Sequence, residues 1–527
     1  MKVRLGTKEL FIYFCIWIFA NVYSLYKLIE AQNDILEENK ESLLLNDLQK
    51  GWSFISRFKD VSDIEWSSWK YFFQISWYYM TVQFIISEIL HILCKQYLRH
   101  WYIISSIAFV VMYMGFRQLL IIITQPVIYA FIIFCGGRKL SIWITSIVLL
   151  LSYNSLKYKY YFWNFLDHED IQDEEVYLIL FSVAWIELRC ISYSLDYIEK
   201  REESNKSFNL YEVISMFSYI LYLPLLYTGP VILYEEFEKS FTTKRQSLTT
   251  RVKRCAIDMT FFQLYTFILD FIFHFIYFFA MQDDIQLIRK LPTFALCGGG
   301  LWMGLEFHMK YVISYGTTAA FARLDNMEPP PTPRCIARIH VYSQMWRHFD
   351  VGLYRFLVKY IYKPGYSLLR NHCTLPNITY KLLASLATFI FIFVWHGTVW
   401  HILIWSILNY SGIALEHFGK ALSKHNLYTK FKFDYLKSEA METRFIALLC
   451  SPLLALSAIS NFYLFGGSEV GNLFFESFVQ PSLINSLILI FCLYCCCHVS
   501  MALEDVPSRD RRFKTSKNRF TYKNINL

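Results

Sequence analysis

The sequence predicts an all-α fold, a polytopic transmembrane helical bundle with re-entrant and amphipathic segments, and three observations predict it. Of 527 residues, 55% are hydrophobic and only 18% charged, richer in apolar and poorer in charged side chains than average soluble domains. Apolar runs recur along the whole chain, and several reach, alone or with their neighbours, the about 20 residues that cross a hydrocarbon core of about 30 Å. No long polar stretch separates them, so residues 1–527 read as one integral-membrane domain.

The elements follow in order. "MKVRLGTK" precedes the apolar run 9–23 without a small-residue cleavage site, which reads as an uncleaved first span. Lys2, Arg4 and Lys8 place the N-terminus in the cytosol, because cytoplasmic loops carry the excess of Lys and Arg. Residues 30–66 hold nine acids against four bases and read as a luminal loop. A span at 71–90 returns the chain to cytosolic Lys95 and Arg99. Runs at 119–135, 140–153 and 176–188 follow, then a basic cytosolic loop at 238–254 and a further run at 261–281. The stretch 382–416, a basic loop from Lys420 to Lys437, and runs at 446–465 and 482–501 complete the bundle. The tail 505–527, with Arg509, Arg511, Arg512, Lys514, Lys517 and Arg519, reads as cytosolic. Run lengths suggest roughly ten to twelve spans and re-entrant segments.

The net charge of +8 is then mostly a topology signal. Its bases are spread over several loops, which argues against a nucleic-acid partner. Thirteen cysteines are scattered, many inside apolar runs where Cys acts as a small hydrophobe, and "CLYCCCHVS" (492–500) lacks a two-pair zinc spacing. Sequons at Asn205 and Asn377 matter only in luminal loops. The chain shows no Walker loop, which disfavours an ATP-driven pump, and no repeat between its halves, which disfavours a secondary transporter.

Residues 329–364, "PPPTPRCIARIHVYSQMWRHFDVGLYRFLVKYIYKP", form an amphipathic or re-entrant segment bracketed by prolines. Within it, 345–362 reads as one helix. Asp350 shares a face with Trp346, Leu353, Tyr354, Leu357 and Ile361, while His348, Arg355 and Lys359 lie opposite. An aspartate near the bilayer centre costs roughly 2.5–3.5 kcal/mol and usually pairs or lines a polar cavity. Asp350 is therefore either hydrogen-bonded structurally, with Arg347 a possible partner, or a catalytic group. In "FIFVWHGTVWHILIW" (391–405), His396 lies about 22 Å along a helix from Lys381, deep in the membrane, with Gly397 allowing a close approach. His401 faces away and reads as structural.

These residues resemble a known family. "MWRHFDVGLYRFLVKYIY", "FVWHG" and "SNFYLFGGSEVG" (460–471), with "LRCISYSL", "YLPLLYTGPVI" and "ARLDNMEPPPTPRC", are together similar to the membrane-bound O-acyltransferases, and within them to the hedgehog acyltransferase branch. The resemblance implies that His396 and Asp350 are catalytic, and that Trp346 and Asn461 lie in the acyl-chain channel. It implies a haem bound axially through Cys335, thiolate ligation of haem iron being ordinary chemistry. Asp350, where many relatives have Asn, favours an amine acceptor. The implied reaction is palmitoyl transfer from palmitoyl-CoA to the α-amine of an N-terminal cysteine on a secreted hedgehog-type protein, in the endoplasmic reticulum membrane. Arg347, Arg355 and Lys359 are the basic candidates for binding the anionic substrate. Another activity of the family, a transporter and a non-catalytic scaffold remain the alternatives at this point.

Overall fold

Apolar helices too long to end inside a bilayer dominate the computed structural model, which describes residues 5–154, 165, 173–204, 207–479 and 483–504. Helix α1 (Thr7–Asn46) runs well past the apolar stretch that begins it. The expected luminal loop 30–66 is therefore mostly helix, because Leu, Glu and Lys after residue 34 are strong helix formers. What remains is a hairpin, β1 (Leu48–Lys50) paired antiparallel with β2 (Phe58–Asp60), Leu48 opposite Asp60. The hairpin is pinned by Trp52 N–H to His274 Nε2 (3.0 Å) and by Asp60, which accepts from Ala280 N–H (3.0 Å).

The chain continues through α2 (Ile64–Leu93), α3 (Leu98–Phe109), α4 (Phe116–Phe134), α5 (Lys139–Asn154), α6 (Asp173–Ser204), α7 (Leu210–Ile220), α8 (Tyr234–Thr242) and α9 (Leu248–Ile272). Next come α10 (Thr293–Leu324), α11 (Tyr342–His348), α12 (Val351–Leu357), α13 (Lys363–His372), α14 (Asn377–His396), α15 (Trp400–Leu422), α16 (Glu439–Val479) and α17 (Leu483–Glu504). Among the described residues, seven helices are long and apolar enough to cross a membrane: α1, α4, α6, α9, α14, α16 and α17. That is fewer than the apolar runs suggested. The run 140–153 yields only the 16-residue α5, and the run 382–416 breaks at Gly397 into α14 and α15.

Helix α10 sits at the centre and was not among the apolar runs. Its glycines explain how neighbours reach it: a Cβ at Gly298 would lie 2.2 Å from the Ser24 carbonyl oxygen of α1, and one at Gly316 would lie 2.2 Å from the Phe262 ring of α9. The motif 460–471 bends α16 at Gly467, whose φ of 74° only glycine adopts readily. The sequon at Asn205 and the basic tail 505–527 lie outside the described residues, while Asn377 opens α14 at the surface.

Candidate active site

The predicted helix 345–362 is interrupted where the chemistry was expected. Helix α11 stops at His348, and Asp350, with φ −109° and ψ 91°, becomes the N-cap of α12. An aspartate is a preferred N-cap because its carboxylate satisfies a backbone donor the first turn leaves open, and that local preference wins over continuous helix. Asp350 accepts from Leu353 N–H at 2.9 Å and from the Tyr315 hydroxyl of α10 at 2.9 Å. The expected partner, Arg347, is not among these donors. After α12 the backbone widens into a π-turn over Val358–Tyr362 before Pro364.

His396 is the last residue of α14 rather than a mid-helix group. Gly397 ends the helix with φ 131°. A Cβ there would meet only Asn154 Oδ1, at 3.8 Å, so no other described part of the chain approaches the glycine closely, and its positive φ serves the helix end. Two bonds fix this end: Asn154 Nδ2 donates to the Val394 carbonyl (2.7 Å) and Trp395 Nε1 to the Ala184 carbonyl (3.1 Å). The His396 ring lies edge-on between Trp395 (4.7 Å, 76°) and Trp405 (5.0 Å, 79°), and its exposed side faces a large cavity. His401, in the first turn of α15, is half-buried and does not line that cavity.

The cavity measures about 1570 Å³ and is walled by α1, α6, α10, α11, α16 and α17. Asp350, His396, Trp346, Asn461 and Cys335 all face it. Among the described residues no hydrogen bond joins Asp350 to His396, so they meet only through whatever lies between them. Trp346 donates to Asn409 Oδ1 (3.0 Å) and packs on Trp405 (5.6 Å), and Trp405 in turn donates to Asn461 Oδ1 (3.3 Å). Sequence reading missed Tyr315, Trp405 and Asn409. Only their contacts, from helices far apart in the chain, distinguish them from ordinary core residues.

The basic candidates behave differently. Arg355 pairs with Glu236 (2.8 Å), and Lys359 with Asp196 and Glu235 (2.9 Å each). Neither these two nor Arg347 lines the cavity. Arg355 and Lys359 spend their charge tying α12 and the π-turn to α6 and α8. The exposed Cys335 precedes a short turn, Ile336–Arg338, whose Arg338 side chain donates to the Leu503 carbonyl of α17 (2.7 Å).

A second polar group stands on the same cavity wall. Lys310 of α10 lies 2.7 Å from Asp63 and 2.8 Å from Glu65, both at the start of α2, and 3.5 Å from Glu306. The arrangement as a whole places a carboxylate, an imidazole and an acidic corner in one large apolar chamber. That suits joining an apolar acyl donor to a polar acceptor.

Residues 129–451 match the family described as MBOAT, membrane-bound O-acyltransferase. Over nearly full length the chain is similar to three curated proteins. It is 28% identical to "Protein-cysteine N-palmitoyltransferase Rasp" of Drosophila melanogaster, over 96% of this chain and 97% of that one. It is 25% identical to "Protein-cysteine N-palmitoyltransferase HHAT" of Mus musculus (92% and 95%). To "Protein-cysteine N-palmitoyltransferase HHAT-like protein" of Mus musculus it is 24% identical (97% and 99%).

Proposed function

The chain belongs to the membrane-bound O-acyltransferase family and is a multi-pass membrane acyltransferase, and from that premise we propose that it transfers palmitoyl from palmitoyl-CoA to the α-amine of an N-terminal cysteine on a secreted, hedgehog-type protein in the endoplasmic reticulum membrane. The observation that carries this reading is the cavity itself. Its volume of about 1570 Å³ exceeds the roughly 300–1,000 Å³ of ordinary ligand sites, which leaves room for a long acyl chain and a peptide end together. The names of the full-length relatives supply the acceptor class.

In this reading the amine nitrogen attacks the thioester carbonyl, the C–S bond breaks, and CoA leaves as the thiol. An α-amine with pKa about 7.7–8.0 is partly neutral already, and after attack its nitrogen is a strong acid, so a carboxylate is base enough. Asp350, held by two donors and without an ion-pair partner among the described residues, takes that proton. His396, walled by two indoles and bonded to no carboxylate among the described residues, donates an N–H to the developing oxyanion. Trp346 and Asn461 shape the acyl channel. Both chain termini face the cytosol in this reading, and the hairpin side of the cavity faces the lumen.

Cys335 presents one exposed thiol on the cavity wall and would be the residue to hold a haem iron. Haem there would supply a bound group that stabilises the fold. Cys335→Ser is expected to remove a Soret band from purified protein without preventing membrane insertion.

Incubating purified protein with palmitoyl-CoA and a peptide beginning with cysteine tests the main reading. A product carrying one palmitoyl that survives hydroxylamine is an amide and supports it. A product cleaved by hydroxylamine, or none, refutes it.

A further inference from the structure

The hairpin between α1 and α2 has a polar base and an apolar tip. At the base, Lys59 pairs with Asp270 of α9 at 2.9 Å, and Lys70 of α2 reaches the same carboxylate at 3.4 Å. The tip, "GWSFIS" (51–56), carries Trp52, Phe54 and Ile55. Phe54 is 73% exposed and its ring stacks on Trp52 at 5.4 Å. An exposed aromatic tip of this kind calls for a partner.

The neighbouring helix says which partner. Trp52 stacks on Phe267 of α9 at 5.1 Å. Helix α9 is long and apolar enough to cross a membrane, and Leu264, Phe267 and Phe271 are exposed along one side of it. Their spacing of three and four residues makes a continuous apolar stripe, which on a membrane-crossing helix faces lipid. Phe267 stands five residues before the end of α9, about 7.5 Å along the axis. The tip therefore turns back beside the last turns of a span and widens its lipid-facing stripe. Asp270 and its two lysines lie about one turn nearer the helix end than Phe267. Charge outside and aromatic rings just beneath is the order found where headgroups give way to hydrocarbon.

The backbone of the tip suits that place. Ile55 N–H and Ser56 N–H both donate to the Trp52 carbonyl (3.0 and 3.3 Å), and Gly51 N–H donates to the Arg57 carbonyl (3.1 Å). Such internal bonds lower the cost of leaving water. Arg57 points back toward the outer level. Its Nε donates to the His274 carbonyl (3.1 Å), and its guanidinium lies 5.1 Å over the Phe275 ring, as a cation does that covers apolar surface while its head reaches water.

We infer that the β1–β2 hairpin is a membrane-inserted anchor, with Trp52, Phe54 and Ile55 in the boundary layer of phospholipid beside α9. The hairpin ends at Asp60, and Ser62, Asp63 and Glu65 line the cavity, so the element held by lipid leads directly into the cavity wall.

The test uses full-length protein in phosphatidylcholine nanodiscs, with the photoreactive p-benzoylphenylalanine in place of Phe54, ultraviolet irradiation and mass spectrometry of the tip peptide. The same probe at Leu264 of α9 marks full lipid contact. At Gln286, exposed between α9 and α10, it marks a polar surface. The yield of phospholipid adduct at position 54 is expected within about threefold of that at Leu264 and at least about tenfold above that at Gln286. A yield no greater than at Gln286 overturns the inference, as does a dominant adduct with a second copy of the chain or with an added N-terminal-cysteine peptide. If protein altered at Phe54 does not purify as a monodisperse species, the probe at the exposed Ser53 decides by the same comparison.

Discussion

Two groups of buried charge in this molecule differ in one respect, how many cations serve each carboxylate. At the far end of α10, Arg251 reaches Glu88 at 2.7 Å, Arg245 pairs with the same carboxylate, and Arg251 also bonds the Leu324 carbonyl. Around the cavity, among the described residues, Asp350 has no cationic partner, three carboxylates share Lys310, and the His396 ring bonds no carboxylate. A carboxylate with cations on both sides closes on itself and holds helices together. Unmatched charge keeps its interaction free energy for something that enters.

The sharpest way to break this contrast is to remove the unmatched groups. Asp350→Asn keeps size and the cap but not the basic carboxylate, and kcat for acyl transfer should fall about 10²–10⁴-fold. His396→Ala should cost about 10²–10³-fold, while His401→Ala, off the cavity, should stay within about threefold of the unaltered enzyme. Near-normal amide formation by Asp350→Asn would make Asp350 a structural cap and nothing more.

Arg251→Gln probes the other side. It leaves Glu88, only 15% exposed, with one cation fewer, at a cost of about 3–5 kcal/mol if the pair is fully broken. The thermal midpoint should drop while turnover per folded molecule holds. A selective loss of turnover would erase the distinction between the two groups.

Tyr315→Phe is a smaller perturbation of the cavity. Tyr315 positions Asp350 through its hydroxyl, so kcat should fall about tenfold with KM for palmitoyl-CoA unchanged. A parallel rise in KM would point to general disorder of α10 instead.

Asp60 is the intermediate case, buried and without a cation among the described residues, yet away from the cavity. It is 2% exposed and accepts from Ser62 and Ala280, and burial pushes its carboxyl up to about 7. The folded state therefore holds this proton more tightly than the unfolded one, whose carboxyl titrates near 3.9. Stability from this group is complete below about pH 4 and is lost as pH rises through 7. Relative to Asp60→Asn, the native protein should gain about 1–3 °C in thermal midpoint between pH 7.5 and 5.5. No difference in slope would show that Ser62 and Ala280 already compensate the charge.

Much of this was legible without coordinates. Composition and the recurrence of apolar runs determined a helical membrane bundle, because only helices satisfy every backbone group in lipid over such runs. Two polar residues in apolar surroundings, Asp350 and His396, pointed to the candidate site because placing them in a membrane is costly enough to need a reason. Sequence reading failed on continuity. The helix 345–362 breaks at Asp350, since periodicity reports the face a residue occupies and not whether its side chain will cap a new helix instead. It failed also on α10, whose glycines, Glu306 and Lys310 dilute its hydropathy, although Asp63 and Glu65 neutralise that lysine from more than 200 residues away.

The sequence by itself determined which residues are apolar enough to span the membrane and which polar ones are too costly there to be incidental. Only the tertiary structure decided which charges find partners. Arg355 and Lys359, read as substrate ligands, are matched by Glu236, Glu235 and Asp196, whereas Glu306 keeps an oxygen unmatched. Pairing is a property of distance in space, and between helices that meet across the bundle no spacing along the chain encodes it.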